Sequence, residues 1–182
     1  MERKVCVKTD ADPSAEPAGG WHRKEEAMEA YEVFTQKYTE VYRDLYRFAC
    51  YMLRNPQDAE DVVGETVADA YAGFSNLRSI DAFRSWIFQI LSNKCRRRLK
   101  EYAQKTVELP EELRAPQAET EEQMDVRKAF FRLDEQERLL IGLRVFGGYN
   151  SREIGQMLQM NENTVRSRIH RGLGKMRGWL DE

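Results

Sequence analysis

The 182-residue sequence predicts an all-α protein: two small helical domains joined by a flexible acidic linker. Apolar residues recur at three- and four-residue spacing along most of the chain, and no segment alternates apolar and polar residues as a half-buried strand does. Helix-starting residues stand just ahead of these stripes: Asn55-Pro56, Asp134 with Glu137, Asn150 with Glu153, and Asn161. Between the striped stretches lies a Glu-rich segment with two prolines, which reads as a linker.

Residues 10–20 are rich in Pro, Ala, Gly and acid and cannot bury a core, so residues 1–25 are expected to form a disordered tail. From Tyr31 onward, Phe34, Tyr38, Val41, Leu45, Phe48 and Met52 make one apolar stripe on a long helix. Asn55 stops that helix and caps the next, with Pro56 at its first position. Val62, Thr66, Ala70, Tyr71 and Phe74 line this second helix, and Asp58, Glu60 and Asp61 sit near its start, where the helix dipole favours acid. Ser79 or Asp81 caps a third helix whose inward face is Phe83, Ile87, Ile90 and Leu91, and which runs out into the basic stretch 94–100. These elements form a first domain over 26–101, followed by a linker over 102–123.

The second domain, 124–182, opens on Asp134 and Glu137, a capping-box pair. Leu139, Leu140, Leu143 and Val145 then pack, and Gly147-Gly148 ends that helix. A short helix over 151–159 carries Ile154, Met157 and Leu158. A longer one over 162–177 has Val165, Ile169, Leu173 and Met176 on one face.

Taken whole, 29 Lys+Arg against 31 Asp+Glu leave a net charge of -2 and argue against a nucleic-acid partner. Summed by segment the picture reverses. Residues 81–100 hold six cations and one acid, residues 101–125 hold two cations and eight acids, and residues 164–178 hold five cations and no acid. Two basic blocks flank an acidic one, and such asymmetry says more about partners than the total does.

Two helices of this length, separated by a turn of two or three residues, match a helix-turn-helix. In such a unit the second helix enters the major groove and offers its N-terminal residues to base edges. With Val165 and Ile169 inward, Arg166, Ser167, His170 and Arg171 face outward together. Arg pairs bidentately with guanine and Ser bonds either base type, while Arg168, Lys175 and Arg177 suit phosphates. The third helix of the first domain mixes aromatics with base: Phe83, Arg84, Trp86 and Phe88, then Asn93, Lys94, Arg96, Arg97 and Arg98. Cations interleaved with stacking surfaces suit opened DNA, with Trp86 either a partly buried packing residue or a stacking wall. On the preceding helix, Asp61 and Glu65 lie one turn apart on one face, a candidate protein-docking surface.

Other classes fit poorly. No apolar stretch approaches the roughly 18 residues of a membrane span, and the N-terminus lacks the apolar core of a secretory signal. Cys6, Cys50 and Cys95 lie far apart, which suits a reducing compartment, and neither they nor His22 and His170 have metal-ligand spacing. Gly172, Gly174 and Gly178 follow a helix rather than a strand and lack phosphate-loop spacing. No metal, cofactor or catalytic constellation is expected, and the chain is read as a non-enzyme.

The segments NPQDAEDVVGETVADAY and FRSWIFQILSNKCRRRL resemble regions 2.2 and 2.3–2.4 of the sigma-70 family, and LDEQERLLIGLRVFGGYNSREIGQMLQMNENTVRSRIHRGLGKMR resembles its region 4. Within that family the likeness is to the extracytoplasmic-function (ECF) sigma factors. The resemblance implies a dissociable promoter-specificity subunit of bacterial RNA polymerase, cytoplasmic, with core polymerase, promoter DNA and an anti-sigma factor as partners. By that likeness Asp58, Asp61, Val62 and Glu65 would dock on the clamp coiled coil of the largest core subunit, with further contact to the flap of the second-largest. Arg78, Ser79 and Asp81 would capture a flipped base of the -10 element, beside Trp86, Asn93, Arg96 and Arg97. Arg166, Ser167, His170 and Arg171, with Arg168 and Lys175, would face the -35 element. The acidic linker would thread into core as a nucleic-acid mimic. Three positions depart from the family pattern: Gly64 for the usual Gln, Asp134 for Pro, and Gly172 for Ala. The rival reading is a stand-alone helix-turn-helix regulator, which would need an effector or dimerisation role for residues 31–100.

Overall fold

The computed structural model describes residues 20–105 and 120–181, with side chains over 28–104 and 120–181. Seven α-helices and two 3-10 turns make up the described residues, and no strand occurs among them. The first module is α1 (Gly20–Leu53), α2 (Pro56–Gly73), 3-10 turns at Phe74–Asn76 and Ile80–Ala82, and α3 (Phe83–Lys105). The second is α4 (Glu121–Arg132), α5 (Glu135–Val145), α6 (Ser151–Leu158) and α7 (Glu162–Leu180).

The stops and starts follow side-chain chemistry. Asn55 Oδ1 accepts from the backbone N–H groups of Gln57 and Asp58, and Pro56 sits where a helix needs no donor. Asp134–Glu137 and Asn150–Glu153 form reciprocal capping boxes. Thr120–Gln123 forms a third box and starts α4 a turn earlier than Met124. α3 likewise continues to Lys105, and α1 begins at Gly20, inside the expected tail. The tail over 1–19 and the linker over 106–119 lie outside the described residues.

α1, α2 and α3 pack together around Leu45, Phe48, Met52, Val62, Ile87 and Leu91, each at most 1% exposed. In the second module α5, α6 and α7 close on Leu140, Leu143, Ile154 and Val165. Eight expected core positions turn outward or stay partial, Tyr38, Phe74, Met157 and Leu158 among the partly buried ones. Tyr71, Val145 and Leu173 are exposed, because the partner helices cover only the neighbouring rows, and Ile90 is half-buried. Conversely Phe88, read from sequence among the aromatics of a binding face, is fully buried between Phe48 and Tyr149, at ring distances of 5.8 and 5.7 Å.

The modules share a core rather than standing apart. Tyr51 on α1 touches Phe130, Phe131 and Phe146 with ring centroids at 5.4, 5.9 and 5.0 Å. Gly142 lets α5 approach α1 so closely that a Cβ there would lie 3.1 Å from Phe48 Cε2. Arg84 on α3 donates to the carbonyls of Phe146 and Gly147 at 3.0 and 3.1 Å, and to Asp44 Oδ2 at 2.8 Å. Arg54, in left-handed backbone at φ 55°, stacks on the Phe131 ring and donates to the Phe131 carbonyl, which Arg138 also reaches.

Candidate DNA and polymerase interfaces

The helix-turn-helix is α6, a tight turn and α7. Gln159 adopts left-handed backbone at φ 54°, and Asn161 accepts from the Asn163 N–H at 2.9 Å to start α7. Gly155 brings the turn against α6: the Met160 N–H donates to its carbonyl at 2.8 Å. Val165, Ile169 and Met176 face the core, and this rotation leaves Arg166, Ser167, His170 and Arg171 exposed on the opposite side. Arg171 makes no ion pair among the described residues, whereas Arg166 reaches Glu162 at 2.6 Å one turn back. A shallow depression between Asn163, Thr164, Ser167, Arg168 and Arg171 runs along this face.

Two residues read as phosphate contacts are tied inward. Lys175 Nζ lies 2.6 Å from Glu137 Oε1, a carboxylate only 5% exposed, and Arg168 donates to Gln136 Oε1. Glu137 thus serves as N3 of α5 and as a strut to α7. Gly172 sits over the same spot, with Ile141 and Glu137 within 4 Å of where a Cβ would project. The Ala-to-Gly departure therefore has a packing reason.

In the first module, Arg78, Ser79 and Asp81 lie exposed at and just beyond the short loop between the 3-10 turns, where Ser79 Oγ accepts from the Asp81 N–H at 3.3 Å. Trp86 is half-buried, tilted against Phe83 at 6.2 Å and lying over Gly73. Trp86 thus packs in part, and it also lines an open cleft. Asn93, Arg96 and Arg97 are exposed along α3. Across from Trp86, Gln89 and Arg96 stand α5 and α6. A cleft of about 610 Å3 lies between Arg78, Trp86 and Gln89 on one wall and Tyr149, Glu153 and Met157 on the other. A second cleft of about 370 Å3 sets Arg96 against Glu135 and Gln136, and Gln89 donates to the Met157 carbonyl at 3.4 Å. In this arrangement the second module partly covers the α3 face.

The four docking candidates on α2 differ in placement. Asp61 is exposed and Glu65 is partly so, but Val62 is 1% exposed and holds α2 to the core instead of meeting a partner. Asp58 accepts from Arg98 at 3.0 Å and from the Tyr102 hydroxyl. Glu65 accepts from Lys94 and Arg97 at 3.3 and 3.1 Å, with Arg98 at 3.5 Å. Burial raises the Tyr102 hydroxyl pKa, and its bond to Asp58 adds to the effect. Lys94, Arg98, Tyr102 and Glu137 had no place in the sequence reading beyond charge and capping. The legible signal was spacing, since Asp58, Glu65 and Asp69 make one helical stripe, as do Lys94, Arg97, Arg98 and Glu101.

A helix-turn-helix joined to a basic, aromatic-lined bundle defines a two-module DNA-binding protein. Comparison with known proteins narrows the class. The Sigma-70 region 2 family model matches residues 38–105, and the Sigma-70, region 4 model matches residues 129–178. The chain is 30% identical over 156 residues to the ECF RNA polymerase sigma factor SigM of Mycobacterium tuberculosis, covering 81% of this chain and 79% of that one. It is 28% identical over 145 residues to the RNA polymerase sigma factor SigV of Bacillus subtilis, covering 76% and 86%. The fold resembles that of the sigma factor RpoE of Bartonella quintana, solved with the anti-sigma factor NepR, with a TM-score of 0.73 at 21% identity over 81% of this chain and 96% of that one. It also resembles CnrH, solved with the cytosolic domain of CnrY, with a TM-score of 0.62 at 23% identity over 85% and 96%. The chain belongs to the sigma-70 family, in its ECF group. Its function is that of an RNA polymerase sigma factor, a non-enzymatic factor of transcription initiation that binds core polymerase and promoter DNA. The region 2 match accounts for the first module, which a stand-alone regulator would leave without a role. No helix among the described residues is long and apolar enough to cross a membrane.

Proposed function

We propose that residues 20–105 dock on core polymerase and engage the -10 element, that residues 106–119 link the modules, and that residues 120–182 read the -35 element. The observation that carries this reading is the rotation of α7, which buries Val165, Ile169 and Met176 and turns Arg166, Ser167, His170 and Arg171 to solvent as one face. Arg171 and Arg166 read base edges there. Arg168 and Lys175 approach phosphates only after leaving Gln136 and Glu137. On α3, Asn93, Arg96 and Arg97 track the opened strand, while Arg78, Ser79, Asp81 and Trp86 receive a flipped base. Because α5 and α6 lie across that face, the modules part when both promoter elements are engaged. Asp61 and Glu65 dock on the clamp coiled coil of the largest core subunit, with Asp58 supporting them from inside, and the second module contacts the flap of the second-largest subunit.

The protein works in the cytoplasm, where polymerase and promoter are, and is held inactive by an anti-sigma factor. Support for that partner is the pairing of two structural neighbours with NepR and with the cytosolic domain of CnrY. Run-off transcription with core polymerase over a pool of promoter fragments tests the reading. The expected product is promoter-selective and depends on this chain. No selective product, together with dimeric operator binding by the chain alone, would refute it.

A further inference from the structure

The cations of α3 and the carboxylates of α2 are one another's partners. Lys94, Arg97 and Arg98 stand at i, i+3 and i+4 and face Asp58, Glu65 and Asp69 on the neighbouring helix. Glu65 is the shared member. Its Oε2 accepts from Lys94 Nζ at 3.3 Å and Arg97 Nη2 at 3.1 Å, and its Oε1 lies 3.5 Å from Arg98 Nη2. Lys94 also reaches Asp69 at 2.7 Å, and Arg98 reaches Asp58 at 3.0 Å. Asp61 on α2 and Arg96 on α3 are exposed and make no ion pair among the described residues. The faces assigned above to polymerase and to -10 DNA are therefore joined through Glu65, which belongs to the first, and Arg97, which belongs to the second.

We propose that Glu65 is a hand-over group. In the free chain it neutralises Arg97 and part of Lys94. On docking it turns to cations of the polymerase and leaves Arg97 to DNA phosphates, while Lys94 stays on Asp69 at 2.7 Å. The inference rests on the docking reading given above. A carboxylate offers about four lone-pair positions and three donors already address Glu65, so a polymerase arginine that engages it with two N–H groups must displace one of them. The Arg97–Glu65 pair is 62% and 41% exposed, hence weak and screened by salt, which allows exchange without a large barrier. Asp58 is not equivalent, because Arg98 and Tyr102 hold it where it is only 19% exposed. Coupling of this kind is reciprocal: docking that strengthens DNA binding implies DNA binding that strengthens docking by the same factor.

The test uses the full chain, a fluorescent forked duplex carrying a -10 element, and core polymerase. Glu65→Gln keeps the shape and removes the charge. The free Glu65→Gln chain should bind the fork about three- to tenfold more tightly at low salt, with a steeper salt dependence worth about one further phosphate contact. Adding Arg97→Ala should abolish that gain. Asp61→Asn should leave fork affinity of the free chain unchanged, and both carboxylate variants should weaken core binding. Once docked, the Glu65→Gln holoenzyme should show no gain on the fork. Unchanged fork affinity of free Glu65→Gln, with core binding weakened, overturns the hand-over alone. Unchanged core binding in both carboxylate variants overturns the docking reading itself.

Discussion

Gly64 and Gly155 lie in helices α2 and α6 and should respond to alanine in opposite directions. A Cβ built on Gly64 meets nothing within 4 Å, and the residue is exposed. Substitution there adds helix propensity of about 1 kcal/mol and disturbs no contact. A Cβ on Gly155 would lie 2.7 Å from the Met160 carbonyl oxygen and 3.6 Å from the Glu162 nitrogen, both backbone atoms of the turn between α6 and α7. Neither can swing aside as a side chain does, and the Met160 N–H bond to the Gly155 carbonyl at 2.8 Å holds them in place. Overpacking costs about 1–3 kcal/mol, and a 2.7 Å approach to backbone belongs to the upper part of that range, about 2–3 kcal/mol, so subtracting the propensity gain of about 1 kcal/mol leaves a net loss of about 1–2 kcal/mol. For a chain of this size, 1 kcal/mol moves Tm by about 2–4 °C. Thermal melts followed by far-UV circular dichroism should therefore rise by about 2–4 °C for Gly64→Ala and fall by about 2–8 °C for Gly155→Ala. A Gly155→Ala protein as stable as Gly64→Ala would refute the claim that the turn is packed on this glycine.

Three further outcomes follow from the geometry. Arg171→Ala should cost about 1–3 kcal/mol of -35 affinity in binding assays with the holoenzyme, with core binding unchanged in a pull-down; equal loss of both would mean misfolding. Arg84→Ala removes three donations that join α3 to Asp44 and to the end of α5, a loss of about 1–2 kcal/mol for partly exposed charged bonds. Urea titration would show that loss as a lower midpoint, and hydrogen exchange should quicken in α5 and α6 but not in α2. At alkaline pH, burial of the Tyr149 hydroxyl, countered in part by Arg84, pushes its pKa up to about 12 from 10.0. The unfolded chain then loses this proton first, so the contribution is full below pH 10 and falls as pH rises towards 12. Tyr149→Phe should flatten that part of the stability profile; an unchanged slope would place the proton elsewhere.

Capping chemistry was the most legible part of the fold. Asn55, Asp134, Asn150 and Asn161 all cap where they stand in the sequence, because each acts on backbone groups two or three residues away. The same signal at Thr120–Gln123 was hidden by the surrounding glutamates, which read as linker. Stripes located the inward rows but not their width. Leu173 and Met176 sit on adjacent rows of α7, yet only Met176 is covered, because coverage depends on the helices packed against α7, chiefly α5, α6 and α4, and not on α7 itself. Phe88 could not be assigned from α3 alone, since what buries it is Phe48 of α1 together with Tyr149 from the other module. The outward placement of Arg171 and Ser167 was readable from the period of the helix. Val62 was not, because a docking helix and a core helix carry valine at the same spacing.

The near-zero net charge also takes a different meaning once partners are known. Summed along the chain, the basic block at 81–100 is balanced by the acidic block that follows it. In space its described partners are the carboxylates of α2 and Asp44 of α1, with Glu101 adding contacts at 3.9 Å from one turn further on. The recognition helix is treated alike, with Lys175 on Glu137 and Arg166 on Glu162. Part of the neutrality is thus local, pair by pair, within each module. Arg78, Arg96 and Arg171 are cations that the described residues leave without an ion pair, and all three lie on faces assigned to DNA. A salt titration of promoter binding separates the two kinds of cation. Side chains already free contribute a counterion-release slope at once, whereas paired ones contribute only after a carboxylate is displaced. The slope of the free chain should therefore be shallower than its count of Lys and Arg on α3 and α7 suggests, and should steepen when core polymerase takes up Glu65.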